Sequence, residues 1–221
     1  MNKDLEIFKM MLVDCIDEMQ PEYVSTVFDL SYFKQGEKYN IPNGFTRIED
    51  ELYKPGERLF AYELYFLLRQ KIELQRRHQK NFLQNIFLQA EVNKRQLMEI
   101  LKNLNLDQLS HAYIPDMILH EPATNKNLCI IEIKSNYSLD NNDVYNDLYK
   151  INEFIVRYKY LSGIFIAVCK SLEEVEELIT SRKDDLLRYY TRQLAESVVI
   201  IAKPYRDSPH QQKNLKSILF T

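Results

Sequence analysis

The stretch I-P-D-M-I-L-H-E-P-A-T-N-K-N-L-C-I-I-E-I-K-S, residues 114–135, leaves this chain few folds to adopt. Two apolar runs separated by turn-forming residues read as two buried strands joined in a hairpin. Each run nevertheless carries charge: Asp116 opens the first, and Glu132 and Lys134 close the second. An unpaired carboxylate or ammonium inside a sheet is costly, so such groups serve one another or a metal. Side chains alternate faces along a strand, so Glu132 and Lys134 point one way and Ile133 the other. With Asp116 on the neighbouring strand, two carboxylates and one ammonium converge. That set suits a hard divalent cation beside a phosphate.

The pattern Pro115-Asp116 … Glu132-Ile133-Lys134 resembles the signature of the PD-(D/E)xK nuclease superfamily, which has the restriction-endonuclease-like fold. The triplet alone is weak in a chain that is 28% charged; its apolar flanks and intervening turn supply the specificity. An ordinary β-hairpin with edge charges is the competing reading.

Composition frames the rest. A chain of 221 residues, 45% apolar, can bury the core of one enzyme-sized domain. Cys15, Cys129 and Cys169 lack metal-ligand spacing, and the latter two sit in apolar runs; they read as core thiols of a reducing, cytoplasmic compartment. No signal peptide and no membrane-spanning run is expected. A net charge of −3 advertises no bulk affinity for nucleic acid, although a local basic strip would suffice. Four glycines leave almost no room for a P-loop or a dinucleotide fingerprint. His78, His111, His120 and His210 are scattered without zinc spacing, and His120 reads as an exposed strand end near the site.

Apolar spacing of three and four predicts a helix over residues 4–19. Residues 21–56 hold three of the seven prolines and three of the four glycines, and read as a loop-rich connector. A helix follows over 57–74, with Phe60, Ala61, Leu64, Leu67 and Leu68 on its apolar stripe. Glu57 lies within that stripe and Glu63 at its edge. Glu57 is either a first-turn acid that favours the helix dipole or a site residue, and geometry prefers it to Glu63 for the latter role. The basic run at 75–80 contains Arg76, Arg77 and Lys80. It reads as a solvated helix end or as a phosphate-contacting strip that Lys94 extends. Residues 85–94 alternate like a first strand, though a continuing helix is compatible; residues 96–109 read as a short helix or excursion.

Beyond the hairpin, a helix is expected over 141–158, with Asp147 and Lys150 as a local ion pair along one flank. An apolar strand over 163–169, one or two helices over 171–194 opened by a Ser171–Glu174 capping box, a strand over 197–202 and a polar tail complete the chain. We divide it into a helical, loop-rich extension, residues 1–54, and a nuclease-like domain, residues 55–221, with the resemblance covering 55–203.

The resemblance implies an α/β fold, a mixed sheet flanked by helices, and hydrolysis of phosphodiester bonds, most naturally in DNA, with Mg²⁺ or Mn²⁺. It makes Asp116, Glu132, the Ile133 carbonyl and Glu57 the metal set. Lys134 stands beside the attacking water, and Lys150 and Glu91 support the site. A nuclease-fold binding or scaffold protein without cleavage is the alternative. Assembly through the first fifty residues, as a homodimer for instance, is compatible with either.

Overall fold

A nine-residue strand with apolar side chains on both faces needs cover from both sides, and the architecture follows from that need. In the computed structural model, described for residues 2–24, 56–91, 103–135, 139–204 and 208–220, this strand is β3, Asn127–Ser135. It lies inside a six-stranded open sheet whose spatial order follows the chain: β1 (Phe87–Ala90), β2 (Met117–His120), β3, β4 (Ser162–Val168), β5 (Val198–Lys203) and β6 (Gln211–Asn214). Strands β1, β2 and β3 pair antiparallel, β3, β4 and β5 pair parallel, and β6 returns antiparallel at the far edge.

Helices cover both faces. On one lie α1 (Lys3–Glu18), α2 (Pro21–Val24) and α3 (Glu57–His78), packed on Cys129, Ile131 and Ile133. On the other lie α4 (Asn141–Tyr158), α5 (Leu172–Ser181), α6 (Lys183–Leu186), α7 (Arg192–Glu196) and α8 (Lys216–Leu219), packed on Ile130, Phe165 and Ala167. Leu5, Phe8 and Leu12 of α1 belong to the same core as Cys129, Ile131 and Ile133 of the sheet.

Most local readings carry over. Helix α4 spans the expected residues; a capping box between Asp140 and Asp143 starts it and a left-handed Lys159 ends it. The Ser171–Glu174 box opens α5. Helix α3 runs on to His78. The expected polar tail instead contains β6, followed by α8, which buries Ile218 and Leu219. Here His210 donates its backbone amide to Asp17 at 2.7 Å, and its ring nitrogen lies 2.7 Å from the same carboxylate. The Lys203 ammonium stands 3.7 Å from it, so the segment entering β6 is fastened to α1.

His120 is buried, not exposed, and pairs with Gln89 across β1 and β2 at 2.6 Å. Cys15, Cys129 and Cys169 are buried thiols. Among the described residues no helix is long and apolar enough to cross a membrane. Most of the connector at 21–56, and part of the stretch at 96–109, lie outside the described residues.

Candidate active site

Strand β2 stops short, and the site forms where it stops. Met117 is paired with Ile131, and Asp116 lies just before the strand begins. Two residues past Ile131, Ile133 has no strand partner on that side. Its amide donates instead to the Asp116 carboxylate at 2.7 Å. The N–H and C=O of a strand residue leave on the same side, so the Ile133 carbonyl also faces this gap. Asp116 therefore takes the place of a ladder partner for Ile133 and also lines the cleft beside it.

Glu132 and Lys134 share the face of Ile130, which α4 covers. Glu132 is 1% exposed. Helix α4 sets two groups against it. Lys150 places its ammonium 2.6 Å from Glu132 and 3.3 Å from Asp147. Asp147 also lies 3.5 Å from the Lys134 ammonium, so one carboxylate bridges two lysines. The phase of α4 explains this: Asp147 sits between Val144, Leu148 and Ile151 in the stripe pressed on the sheet, and is itself buried.

Glu57 arrives from the opposite side of the sheet. It is the first residue of α3, and its carboxylate reaches round the strand end to within 3.9 Å of Lys134. The Ser135 amide also bonds to it. Glu63 lies about 9 Å further along the helix axis. Glu57 and Asp116 open onto a cleft of about 290 Å³ whose lining includes Arg58, Tyr62 and Glu91. Glu91 has a left-handed backbone, φ 49°; its amide donates to the Asp116 carbonyl and its carboxylate accepts from Tyr62.

Three carboxylates pair with two ammoniums, and the charge of Asp116 nearby adds to an excess of negative charge in a part-buried setting. Burial drives the Glu132 pKa well above the usual carboxylate range, the Asp147 and Asp116 charges add to the rise, and Lys150 opposes it. Burial likewise raises Asp116 despite the Ile133 amide and Lys150, and raises Glu57 despite Lys134. For both lysines burial disfavours the charge, but the acids outweigh it. Glu132 and Asp147 hold Lys150 above the ordinary lysine value, and Asp147 and Glu57 do the same for Lys134.

Among the described residues no three acid, histidine or cysteine side chains close on a single point in the manner of a finished metal site. The ammoniums explain the gap, since Lys150 stands between Glu132 and Asp147. Even so, the donor chemistry fits a hard cation. The buried Oε1 of Glu132 has no hydrogen-bond partner, and a buried acceptor without a donor is a favoured ligand for a cation.

The basic run is elsewhere. Arg76 is nineteen residues from Glu57 along α3, about 28 Å at helical rise. Its guanidinium turns inward to the carbonyls of Phe82, Leu83 and Ile86, fastening the turn that leads to β1. Arg77 and Lys80 are exposed at that same remote end. Lys94 lies outside the described residues. Asp147, read from sequence only as a partner of Lys150, is central; its place inside an apolar helical stripe was the available signal. A comparison with known proteins finds no matching family model, no similar curated protein and no similar solved structure.

Proposed function

We propose that this protein is a divalent-metal-dependent nuclease with a restriction-endonuclease-like core, hydrolysing phosphodiester bonds in nucleic acid, with DNA the leading substrate. The observation that carries the reading is the meeting of Asp116, Glu132 and Lys134 where β2 ends, with a buried Glu132 oxygen left unbonded. The element order from α3 through β1, β2, β3, α4 and β4 to β5, and the mixed sheet, support the same reading. So does the position of the acidic and basic groups, near the carboxyl end of a parallel strand and beside an open cleft.

Asp116, Glu132 and the Ile133 carbonyl would hold Mg²⁺ or Mn²⁺, with Glu57 joining directly or through water. Bound there, the ion supplies charge stabilisation for the phosphate and lowers the pKa of a water molecule. Lys134 lies 3.5 Å from Asp147 and 3.9 Å from Glu57, which favour its charged form, so it would stand as a positive charge beside the reacting phosphate. Glu91, on the wall of the cleft, helps place Asp116 through its amide.

The test is cleavage of end-labelled single- and double-stranded DNA and RNA with Mg²⁺ or Mn²⁺, comparing wild type with Glu132→Gln. Metal-dependent cleavage lost in the variant is the expected outcome. Binding of these substrates with no cleavage under any condition would favour a nuclease fold retained for binding or scaffolding.

A further inference from the structure

The Lys150 ammonium sits where a cation bound by the acidic cluster would compete with it. It takes one oxygen of the fully buried Glu132 at 2.6 Å and reaches one oxygen of Asp147 at 3.3 Å; the other Glu132 oxygen is buried and without a hydrogen-bond partner, and the other Asp147 oxygen lies 3.5 Å from the Lys134 ammonium. Its side chain is 16% exposed, so solvent does little to weaken these contacts. A divalent ion that uses both Glu132 oxygens must therefore dislodge an ammonium. An ion that uses only Oε1 must settle beside a like charge.

We infer that Lys150 is a resident counter-cation, which neutralises Glu132 when no metal is bound, leans on Asp147 as it does so, and yields its place when metal enters, so that it sets metal affinity by competition. This rests on the metal-site reading above and adds a direction of effect to it. A lysine that merely helped to build a metal site would weaken binding when removed. A competing lysine strengthens binding when removed, and its loss weakens the metal-free fold, because the buried Glu132 then lacks its cation and Asp147 keeps only Lys134. Both consequences come from one contact and have opposite signs.

The side chain is suited to the role. Lysine is a compact point charge on a flexible stem, so the head of Lys150 can withdraw without unwinding α4. Arginine at this position would grip Glu132 through a planar fork and yield less readily.

Mn²⁺ binding is measured by calorimetry at about pH 8, where carboxylate protonation competes least, on wild type, Lys150→Met, Lys150→Arg and Glu132→Gln. Thermal unfolding is followed with and without Mn²⁺. The expected result is Mn²⁺ binding at least roughly tenfold tighter in Lys150→Met, the scale of one removed like charge in a half-screened site. Its metal-free melting point should fall and Mn²⁺ should restore it. Lys150→Arg should bind Mn²⁺ more weakly than wild type. Equal or weaker binding by Lys150→Met, with Glu132→Gln abolishing binding, overturns the inference and leaves the metal-site reading standing. No binding by any of the proteins overturns both. If Lys150→Met folds neither with nor without Mn²⁺, Lys150→Arg decides: weaker binding supports the inference and unchanged binding overturns it.

Discussion

The Asp116 carboxylate accepts the Ile133 backbone amide at 2.7 Å, across the point where β2 gives way to irregular chain. One side chain thus completes a β-ladder and supplies a charged oxygen to the site. The two duties separate by mutation. Asp116→Asn keeps an acceptor for the amide and should unfold in urea near the wild-type midpoint, yet bind Mn²⁺ poorly. Asp116→Ala leaves the amide unpaired and should lose about 1–3 kcal/mol of stability as well. Equal Mn²⁺ affinity in all three proteins would remove Asp116 from the metal set.

Lys134 should be needed for turnover and not for folding. Its ammonium is part-exposed and only loosely engaged, at 3.5 Å from Asp147 and 3.9 Å from Glu57. Lys134→Met is expected to keep the wild-type circular dichroism spectrum and to cut the single-turnover cleavage rate by about 10²–10³-fold, as when a charge-stabilising donor is removed. Cleavage within a few-fold of wild type would exclude the role.

Glu57 and Glu63 give a paired comparison on one helix. Glu57→Gln should reduce metal-dependent cleavage by about 10–100-fold, the usual effect of disturbing a group that supports a metal shell. Glu63→Gln should leave the rate essentially unchanged. A larger effect at Glu63 would transfer the assignment.

The contact between the α1 end and the β6 approach predicts an acid response. Burial tends to raise the Asp17 pKa, but the amide and ring of His210, with Lys203, outweigh it and hold the carboxyl below its ordinary value. A depressed folded-state pKa contributes stability above the unfolded pKa of about 4, and that stability is lost as pH falls through the folded value. Wild type should therefore lose more stability than Asp17→Asn between about pH 5 and about pH 3, read as the shift in urea midpoint. Parallel losses would show that the contact does not matter in solution.

Gly163 sets the gap between the sheet and α4. A Cβ there would stand 2.2 Å from Cγ2 of Ile151, a branched and stiff side chain. Gly163→Ala should destabilise the fold by about 1–3 kcal/mol through overpacking. Because Ile151 adjoins Lys150, the same change should alter Mn²⁺ affinity, whereas an equally destabilising substitution in α1 should not.

How much of this was legible in advance depended on whether a residue's partner was close in sequence. Helix α4 and the Ser171–Glu174 capping box were readable because caps and helical stripes act within a few residues. The hairpin acids were readable because charge inside an apolar run is locally anomalous. Strand β6, Gln-Gln-Lys-Asn, was not: a half-exposed edge strand needs no apolar alternation, and its partner β5 alone defines it. Arg76 misled for a related reason. Its neighbours in sequence are polar, but the carbonyls it binds belong to a turn in which Leu83 and Asn85 adopt positive φ. Asp147 looked like half of a surface pair until the strand beneath it supplied Lys134.

The sheet's spatial order repeats the chain's own order. A ribosome delivering this protein would lay down each strand beside the one before it, with no slot to be filled later between two neighbours already paired. Glu132 emerges eighteen residues before Lys150. At about 5–20 residues per second, that is about 1–4 s in which a strongly desolvation-averse acid waits without its cation. The segment that carries α4 is thus the one that brings Glu132 its counter-charge.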